Sequence, residues 1–325
     1  MSRFSDLGNA LYSGERSYNF VGRRNIGFAI SAVVMALAIS LTFLAHNGFN
    51  FGIEFKGGSE FRISSTNANY QSIATQSVDS ILGPTAQVVV SQVGTDGVRI
   101  QTERLSPNKS EAVRQAIAKA FGVPGSSVAS SFVGANWGAD ITGKALSGLL
   151  WFIVLAAIAM AAYFRTLKMS AAALIALVHD LVITACVYGA LGFEVTPAAV
   201  IGFLTILGYS LYDTVVVFDK IRENTFEVEF SSTTTFRERI NLAINQTLVR
   251  SINTSVVAVL PVASILFIGT LLLGAGTLRD ISLALFIGII VGTYSTIFVA
   301  APLYSLFREK EPKYAAAEAK VLANR

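Results

Sequence analysis

Residues 196–218 read TPAAVIGFLTILGYSLYDTVVVF, and this stretch decides the class of fold. A helix needs about 20 mainly apolar residues to cross the hydrocarbon core of a membrane, and the stretch meets that length. Its only Asp, Glu, Lys or Arg is Asp213. The stretch therefore predicts a transmembrane helix that carries one carboxylate within the membrane.

Five other stretches share this character, and the composition of the whole chain agrees with them. Of the 325 residues, 14% are charged and 53% are apolar, whereas soluble domains carry about 25% charged residues. In chain order, the six predicted spans are 25–45, 143–164, 169–191, 196–218, 253–273 and 280–305. The sequence therefore predicts a membrane all-α bundle of six transmembrane helices, TM1 to TM6.

Composition also limits what the chain is expected to bind. The net charge of +4 is small and gives no support to nucleic-acid binding. Cys186 is the single cysteine and there are two histidines, which leaves too few ligands for a structural zinc site. We expect no metal and no cofactor.

The basic residues predict the orientation in the membrane, because short cytoplasmic flanks carry an excess of Lys and Arg. Those close to helix ends on one side are Arg16, Arg23, Arg24, Arg165, Lys168, Lys220, Arg222, Arg237, Arg239, Arg308, Lys310 and Lys313. We expect this side to be the cytoplasm, with the N-terminal segment 1–24 and the tail 307–325 in it. The long loop 46–138 is then expected outside.

The loop 46–138 has the pattern of a folded domain. Its predicted elements are extended runs in 49–65, a helix in 69–82, strands in 86–93 and 97–103 around the turn Gly94–Gly97, a helix that begins at Pro107 and ends at Gly122, and a strand in 127–133. The order β-α-β-β-α-β is that of the split βαβ motif. We expect an extracytoplasmic ferredoxin-like α+β domain.

The remaining chain, 139–306, is predicted to hold TM2 to TM6. Within it, residues 219–250 are too polar to span a membrane. An apolar stripe at helical spacing runs through this segment, formed by Phe236, Ile240, Ala243, Ile244 and Leu248. Such a stripe is typical of a helix on a membrane surface, so we expect a cytoplasmic amphipathic linker at 219–250.

Asp213 is the most informative candidate for function. It lies about 9 Å deeper in its helix than Asp219, which marks the polar end. An ionised carboxylate inside the membrane costs roughly 2.5–3.5 kcal/mol, so it usually faces the protein interior and has a partner. A reversible proton site is the favoured interpretation, and the alternative is that Asp213 only joins helices by hydrogen bonds.

Three other polar residues are candidates to assist Asp213. Arg250 opens the fifth helix and is either a cationic partner of Asp213 or an ordinary cytoplasmic anchor. His179 and Asp180 lie within the third span, where they indicate either a proton relay or, with more weight, a role in helix packing. Their side chains are expected roughly 100° apart, so they need not act together.

Small residues mark one face of the sixth span. Gly288 and Gly292 form a GxxxG pattern, with Ala284 and Thr296 at the same spacing on either side. Such a face lets two helix backbones approach closely. It predicts a helix contact, either within the chain or with another protein.

Three of these regions carry motifs of a known family. Residues 51–61, FGIEFKGGSEF, resemble the motif GIDFxGG; residues 212–224, YDTVVVFDKIREN, resemble a fourth-helix signature; and residues 250–255, RSINTS, resemble the entry to the fifth helix. Together with His179-Asp180, they make the chain similar to the SecF members of the SecD/SecF family, within the resistance-nodulation-division superfamily.

The first motif adds Gly52, Glu54, Gly57 and Gly58 to the candidate residues. Glu54 stands where the family usually has Asp, which keeps the charge. Tyr212 stands where an Asn often precedes the aspartate of the fourth helix. This second difference leaves open which group forms a hydrogen bond with Asp213.

The resemblance implies an accessory subunit of the bacterial Sec preprotein translocase in the plasma (inner) membrane, and not an enzyme. With SecD, such a subunit would use the proton-motive force to assist late-stage protein export. The further partners implied are the SecYEG channel, SecA, YajC, YidC, the unfolded preprotein and membrane lipid, with no nucleic acid. By the same resemblance, Asp213 would be the proton-binding carboxylate and Arg250 its basic partner.

Three rival interpretations come from other classes of protein. An intramembrane aspartyl protease needs a second motif, GxGD, which the neighbouring helices lack. A proton-coupled small-molecule or lipid transporter half of the same superfamily would normally hold two six-helix halves in one chain. A purely structural assembly subunit would leave Asp213 inert.

The orientation can be tested by cysteine labelling with a reagent that does not cross membranes. With Cys186 replaced by Ala, a cysteine at Gly94 should react from outside the cell, whereas one at Lys313 should react only after the membrane is opened. Labelling of the Lys313 position in intact cells would contradict the six-helix topology.

Overall fold

The computed structural model describes residues 3–45, 48–64, 69–86, 88–93, 97–226, 228, 233–269 and 276–324. Within these residues, six helices are long and apolar enough to cross a membrane. They are TM1 (Arg24–Ser40, continued by a π-helical turn, Leu41–Ala45), TM2 (Ala135–Phe164), TM3 (Leu167–Ala190), TM4 (Pro197–Asn224), TM5 (Phe236–Ser264, continued by a π-helical turn, Ile265–Gly269) and TM6 (Gly276–Ser295, then Thr296–Ala300 and Ala301–Arg308).

TM4 and TM6 pack closely through the glycines of TM6. A Cβ atom built on Gly288 would lie 2.2 Å from Cγ1 of Ile206, and one on Gly292 would lie 3.2 Å from Cβ of Ser210. Both distances are shorter than ordinary carbon contacts of about 3.5–4.0 Å. The glycine face of TM6 therefore packs within the chain, against TM4.

The structure describes the predicted surface linker at 219–250 differently. TM4 continues to Asn224, and TM5 begins at Phe236 and runs on without a break to Ser264. The apolar stripe is largely buried inside the protein: the ring of Phe236 stacks on Tyr314 at 4.0 Å between centroids. The amphipathic pattern arises because the start of TM5 packs against other helices of the protein. Sequence periodicity alone cannot distinguish this packing from contact with a membrane surface.

Two terminal helices were not predicted. They are Arg3–Ser13 and Pro312–Ala323. The extended segment after the first helix is held by TM5, since Asn245 accepts a hydrogen bond from the Tyr18 backbone at 2.8 Å. Helical packing at the ends of the bundle therefore continues beyond the membrane spans.

The chain between TM1 and TM2 forms a domain around a four-stranded antiparallel sheet in the order β3-β4-β2-β5. The strands are β2 (Gly58–Ser64), β3 (Val88–Val93), β4 (Gly97–Thr102) and β5 (Ala129–Val133), and the helices are Tyr70–Leu82 and Pro107–Phe121. A buried apolar core formed by both helices and the sheet contains Phe61, Ile63, Val78, Ile100, Val113 and Ile117. We call this unit the loop domain. The predicted turn at 94–96 lies outside the described residues.

The predicted extended run 49–65 is divided by one turn of helix, Ile53–Lys56. The short strand β1 (Asn50–Phe51) precedes this turn and pairs in parallel with β6 (Glu194–Val195), in the connection between TM3 and TM4. The chain then reverses at Gly57, whose φ of 76° suits glycine. The connection between TM3 and TM4 therefore also holds the segment that leads from TM1 into the loop domain.

The packing of TM6 on TM4 gives a direct prediction about stability. Gly288→Leu should lower the free energy of unfolding by about 1–3 kcal/mol, because the new side chain must displace Ile206. Gly148→Leu in TM2 is the matched control, since no atom lies within 4 Å of its added Cβ. Thermal unfolding in detergent measures both, and equal effects would contradict this packing.

Candidate functional site

Asp213 faces the interior of the bundle, with 6% of its surface exposed. The Ser251 hydroxyl of TM5 donates a hydrogen bond to Oδ1 of Asp213 at 2.8 Å. The other carboxylate oxygen, Oδ2, is buried and has no hydrogen-bond partner among the described residues. A buried ionised carboxylate needs several hydrogen-bond donors to offset the loss of water around its charge. A protonated carboxyl group is neutral and needs fewer donors. The geometry therefore suits a carboxyl group that binds and releases a proton.

Asp180 is also buried, but both of its oxygens have partners. Ser210 of TM4 donates to Oδ2, and His179 bonds to Oδ1 at 3.0 Å. The other ring nitrogen of His179 contacts the Ser31 hydroxyl of TM1. Against the expectation that they need not act together, the two residues form one chain of hydrogen bonds. This chain joins TM1, TM3 and TM4.

Arg250 does not form an ion pair with Asp213. Its side chain is exposed, and Nη2 donates to the Tyr212 hydroxyl at 3.4 Å. The Asp213 contact on TM5 is instead made by Ser251, the next residue after Arg250.

Sequence reasoning missed the hydroxyl groups around Asp213. Thr214 of TM4 bonds to Thr296 of TM6 at 3.0 Å, and Ser255 of TM5 bonds to Thr293 of TM6 at 2.5 Å. Together with Ser251, these side chains place a polar layer inside TM4, TM5 and TM6. Ser251 and Ser255 are four residues apart on TM5, and Thr293 and Thr296 are three apart on TM6. Serine and threonine are too common for this spacing alone to predict a site.

The candidate residues occupy three places. Asp213, Asp180, Gly288 and Gly292 lie along the contacts of TM4, and a Cβ on Gly292 would be 3.6 Å from an Asp180 oxygen. Arg250 lies at the exposed edge of TM5, on a crevice of about 440 Å³ that also includes Asp219 and Lys220.

The third group of candidate residues belongs to the GIDFxGG-like motif and lies next to the TM3–TM4 connection. The backbone N–H of Gly52 donates to the Val195 carbonyl at 2.9 Å. A Cβ on Gly58 would lie 2.7 Å from the Thr102 carbonyl, so this glycine allows β2 to approach β4. The Glu54 carboxyl points back toward Gly52, and its Oε2 is buried without a partner among the described residues.

Comparison with known families identifies two regions of the chain. Residues 89–310 match the model described as "Protein export membrane protein SecD/SecF, C-terminal". Residues 42–68 match the "SecD/SecF GG Motif", which includes Glu54. The first match alone covers more than half of the chain.

Individual relatives agree with these matches. The protein translocase subunit SecF of Streptomyces coelicolor is 44% identical over 100% of this chain and 86% of its own length. The subunit SecF of Mycobacterium tuberculosis strain H37Rv is 42% identical over 92% of this chain and 69% of its own length.

The solved structures extend the comparison to the fold. The crystal structure of SecDF, a translocon-associated membrane protein from Thermus thermophilus, superposes with a TM-score of 0.78 at 30% identity. The match covers 91% of this chain but only 39% of the SecDF chain, so the present chain spans about two fifths of that protein. A structure of SecDF in a super-membrane-facing form gives a TM-score of 0.59 at 27% identity. From the family match, the identities and the shared fold, we conclude that the chain belongs to the SecD/SecF family of protein export membrane proteins.

Proposed function

We propose that the chain acts as the SecF-type subunit of a Sec preprotein translocase and, with SecD, uses the proton-motive force to assist late-stage export across the bacterial plasma membrane. The relatives named as SecF translocase subunits support the export role. A relative from Thermus thermophilus is named SecDF, and this chain matches 43% of its length. That relation supports SecD as a separate partner here.

Asp213 carries the proton-coupling part of the proposal. Its buried Oδ2 has no described partner, whereas both oxygens of Asp180 are satisfied. A proton on Asp213 removes the cost of a buried charge, and its release restores that cost. One charge that crosses the membrane gains about 2.3 kcal/mol per 100 mV, which is enough to bias two helix arrangements of similar energy.

The sequence leaves Arg250 as either a cationic partner of Asp213 or a cytoplasmic anchor, and we propose that it acts on Asp213 indirectly. It lines the crevice at the polar end of TM4 and TM5, together with Asp219, Lys220 and Gln246. Water in this crevice would bring the cytoplasm close to Tyr212 and, through it, to Asp213. We infer that Arg250 stabilises the ionised carboxylate from this edge and keeps the proton exit open.

His179 and Asp180 are proposed to hold TM1, TM3 and TM4 together. Both oxygens of Asp180 have hydrogen-bond partners, Ser210 of TM4 at Oδ2 and His179 at Oδ1. Replacing one partner of a buried network leaves the other unsatisfied. These residues therefore support the site by fixing the helices around Asp213.

The loop domain is proposed to have a ferredoxin-like fold and to lie outside the cytoplasm, with both termini inside. The order β-α-β-β-α-β and the sheet order support the fold. The unfolded preprotein, the SecYEG channel and SecA are the proposed functional partners, with YajC and YidC as further ones. Membrane lipid surrounds the bundle.

Substitution of Asp213 tests the proposed function. Asp213→Asn, which is nearly isosteric but cannot ionise, should abolish the gain in export that depends on the proton-motive force. Asp219→Asn is the matched control, because this residue lies on the same helix but is exposed. The measurement is preprotein translocation into membrane vesicles that contain SecD, with and without a protonophore.

Co-purification with SecD should be equal for the two variants, which separates loss of proton coupling from loss of assembly. If vesicles with Asp213→Asn keep a protonophore-sensitive gain, Asp213 is structural. If the wild-type chain co-purifies without SecD and transports a small molecule or lipid instead, the transporter interpretation replaces the one proposed here.

A further inference from the structure

A single glutamate joins the loop domain to the transmembrane bundle. Glu194 lies in β6, between TM3 and TM4, and 11% of its side chain is exposed. Gln101 Nε2 donates to its Oε1 at 2.8 Å, and the Arg99 guanidinium forms an ion pair with its Oε2. Arg99 and Gln101 alternate along β4 with core residues, so they lie on the face of the sheet away from the domain helices. Glu194 therefore holds that face to the bundle.

The family motif runs directly beside this contact. β1 pairs with β6, which brings Gly52 against Glu194 and Val195. A Cβ built on Gly52 would lie 2.3 Å from Oε2 of Glu54 and 3.2 Å from Oε1 of Glu194. Two carboxyl groups thus share the space that the missing side chain of Gly52 leaves. Two such groups cannot both ionise without a cost, unless cations offset them.

The arginines around this junction are already engaged. Arg99 on β4 is paired with Glu194, and Arg62 on β2 is paired with Glu60 at 2.5 Å. Arg279 at the start of TM6 stacks over the Phe193 ring at 4.6 Å. Lys56 on the same helical turn as Glu54 is exposed.

The other polar groups at this junction also have partners. Asp280 accepts a hydrogen bond from Thr196 at 2.8 Å, Glu60 accepts one from Gln101 at 3.3 Å, and the Tyr188 hydroxyl donates to the Glu194 carbonyl at 3.2 Å. Oε2 of Glu54 has none among the described residues. Burial raises the pKa of the Glu54 carboxyl above its ordinary value, and the charges of Glu194 and Glu60 raise it further, although a backbone hydrogen bond and Arg99 act in the other direction.

We propose that Glu54 is a second proton-binding residue of this chain, and that its proton controls whether Glu194 holds the loop domain on the bundle. When Glu54 is protonated, its neutral carboxyl group can donate a hydrogen bond to Glu194, which stays paired with Arg99 and Gln101. When Glu54 is ionised, two carboxylates compete for one guanidinium, and the contact weakens. The GG motif thus supplies a latch that responds to pH, with Gly52 making room for both carboxyl groups.

The sign of the pH dependence follows from the raised pKa of Glu54. The latch is strongest at low pH, where Glu54 is protonated, and weakens as the pH rises through that pKa. This inference rests on the proposed function in one respect, the position of the loop domain on the proton-rich outer side. There, protons would favour the docked domain, and their loss would release it.

Distance measurement between two spin labels tests the latch in the full chain. The labels replace Asn108 in the loop domain and Leu191 at the end of TM3, both exposed, in a Cys186→Ala background in lipid nanodiscs. Between about pH 5 and about pH 9, a range that covers raised carboxyl pKa values, the wild-type chain should change from one short distance to a mixture with a longer one. Glu54→Gln should keep the short distance throughout.

Two other variants make the result specific. Glu60→Gln is the matched control and should keep the pH response, because both oxygens of Glu60 have partners. Glu194→Gln should show the longer distance even at low pH, since it lacks the charge that binds Arg99. A wild-type distance that does not change with pH, or a Glu54→Gln variant that responds like the wild type, would overturn the latch. Asp213→Asn should keep the response, so failure of the latch and failure of proton-coupled export remain separate results.

Discussion

The contact between TM4 and TM6 is the constraint on which the rest of the bundle depends. Gly288 and Gly292 remove the side chains that would separate the two helices, so Ile206 and Ser210 fill their place. Ser210 is in turn the donor to Asp180 on TM3. The close approach of two backbones thereby positions the Ser210–Asp180 contact, and Asp213 lies on the face of TM4 toward TM5.

The two buried aspartates have different hydrogen-bonding surroundings, and we propose different roles for them on this basis. Both oxygens of Asp180 have partners, Ser210 on the neighbouring TM4 and His179 on its own helix, which supports a role in holding the helices together. Asp213 has one hydroxyl donor and one oxygen without a described partner. A buried carboxylate with an oxygen that lacks a hydrogen-bond donor is stabilised most by binding a proton, because the proton removes its charge. The loop domain repeats this arrangement at Glu54, beside a fully bonded Glu60.

Much of the fold could be predicted from the sequence, because helices in lipid need long apolar runs and the strands of the loop domain alternate. Asp213 was found for the same reason, since a lone charge in such a run is conspicuous. The errors have a common cause in contacts between distant segments. The stripe at Phe236 was assigned to a membrane surface, but it packs on Tyr314 from the C-terminal helix. Glu194 and Arg99 are 95 residues apart in the sequence, and only the fold brings them together.

If Asp213 carries the coupling proton, its carboxyl group must change its protonation state within the bundle. Infrared difference spectroscopy on the purified chain measures this directly, by comparing acidic and alkaline samples in the carbonyl region of protonated carboxyl groups. In a Glu54→Gln background, which removes the other proposed proton-binding carboxyl group, we expect a component of the absorption band in this region that appears on acidification, is lost in Asp213→Asn and is kept in Asp180→Asn. If Asp213→Asn leaves the band in this background unchanged, the proton is bound elsewhere and Asp213 is not the coupling residue.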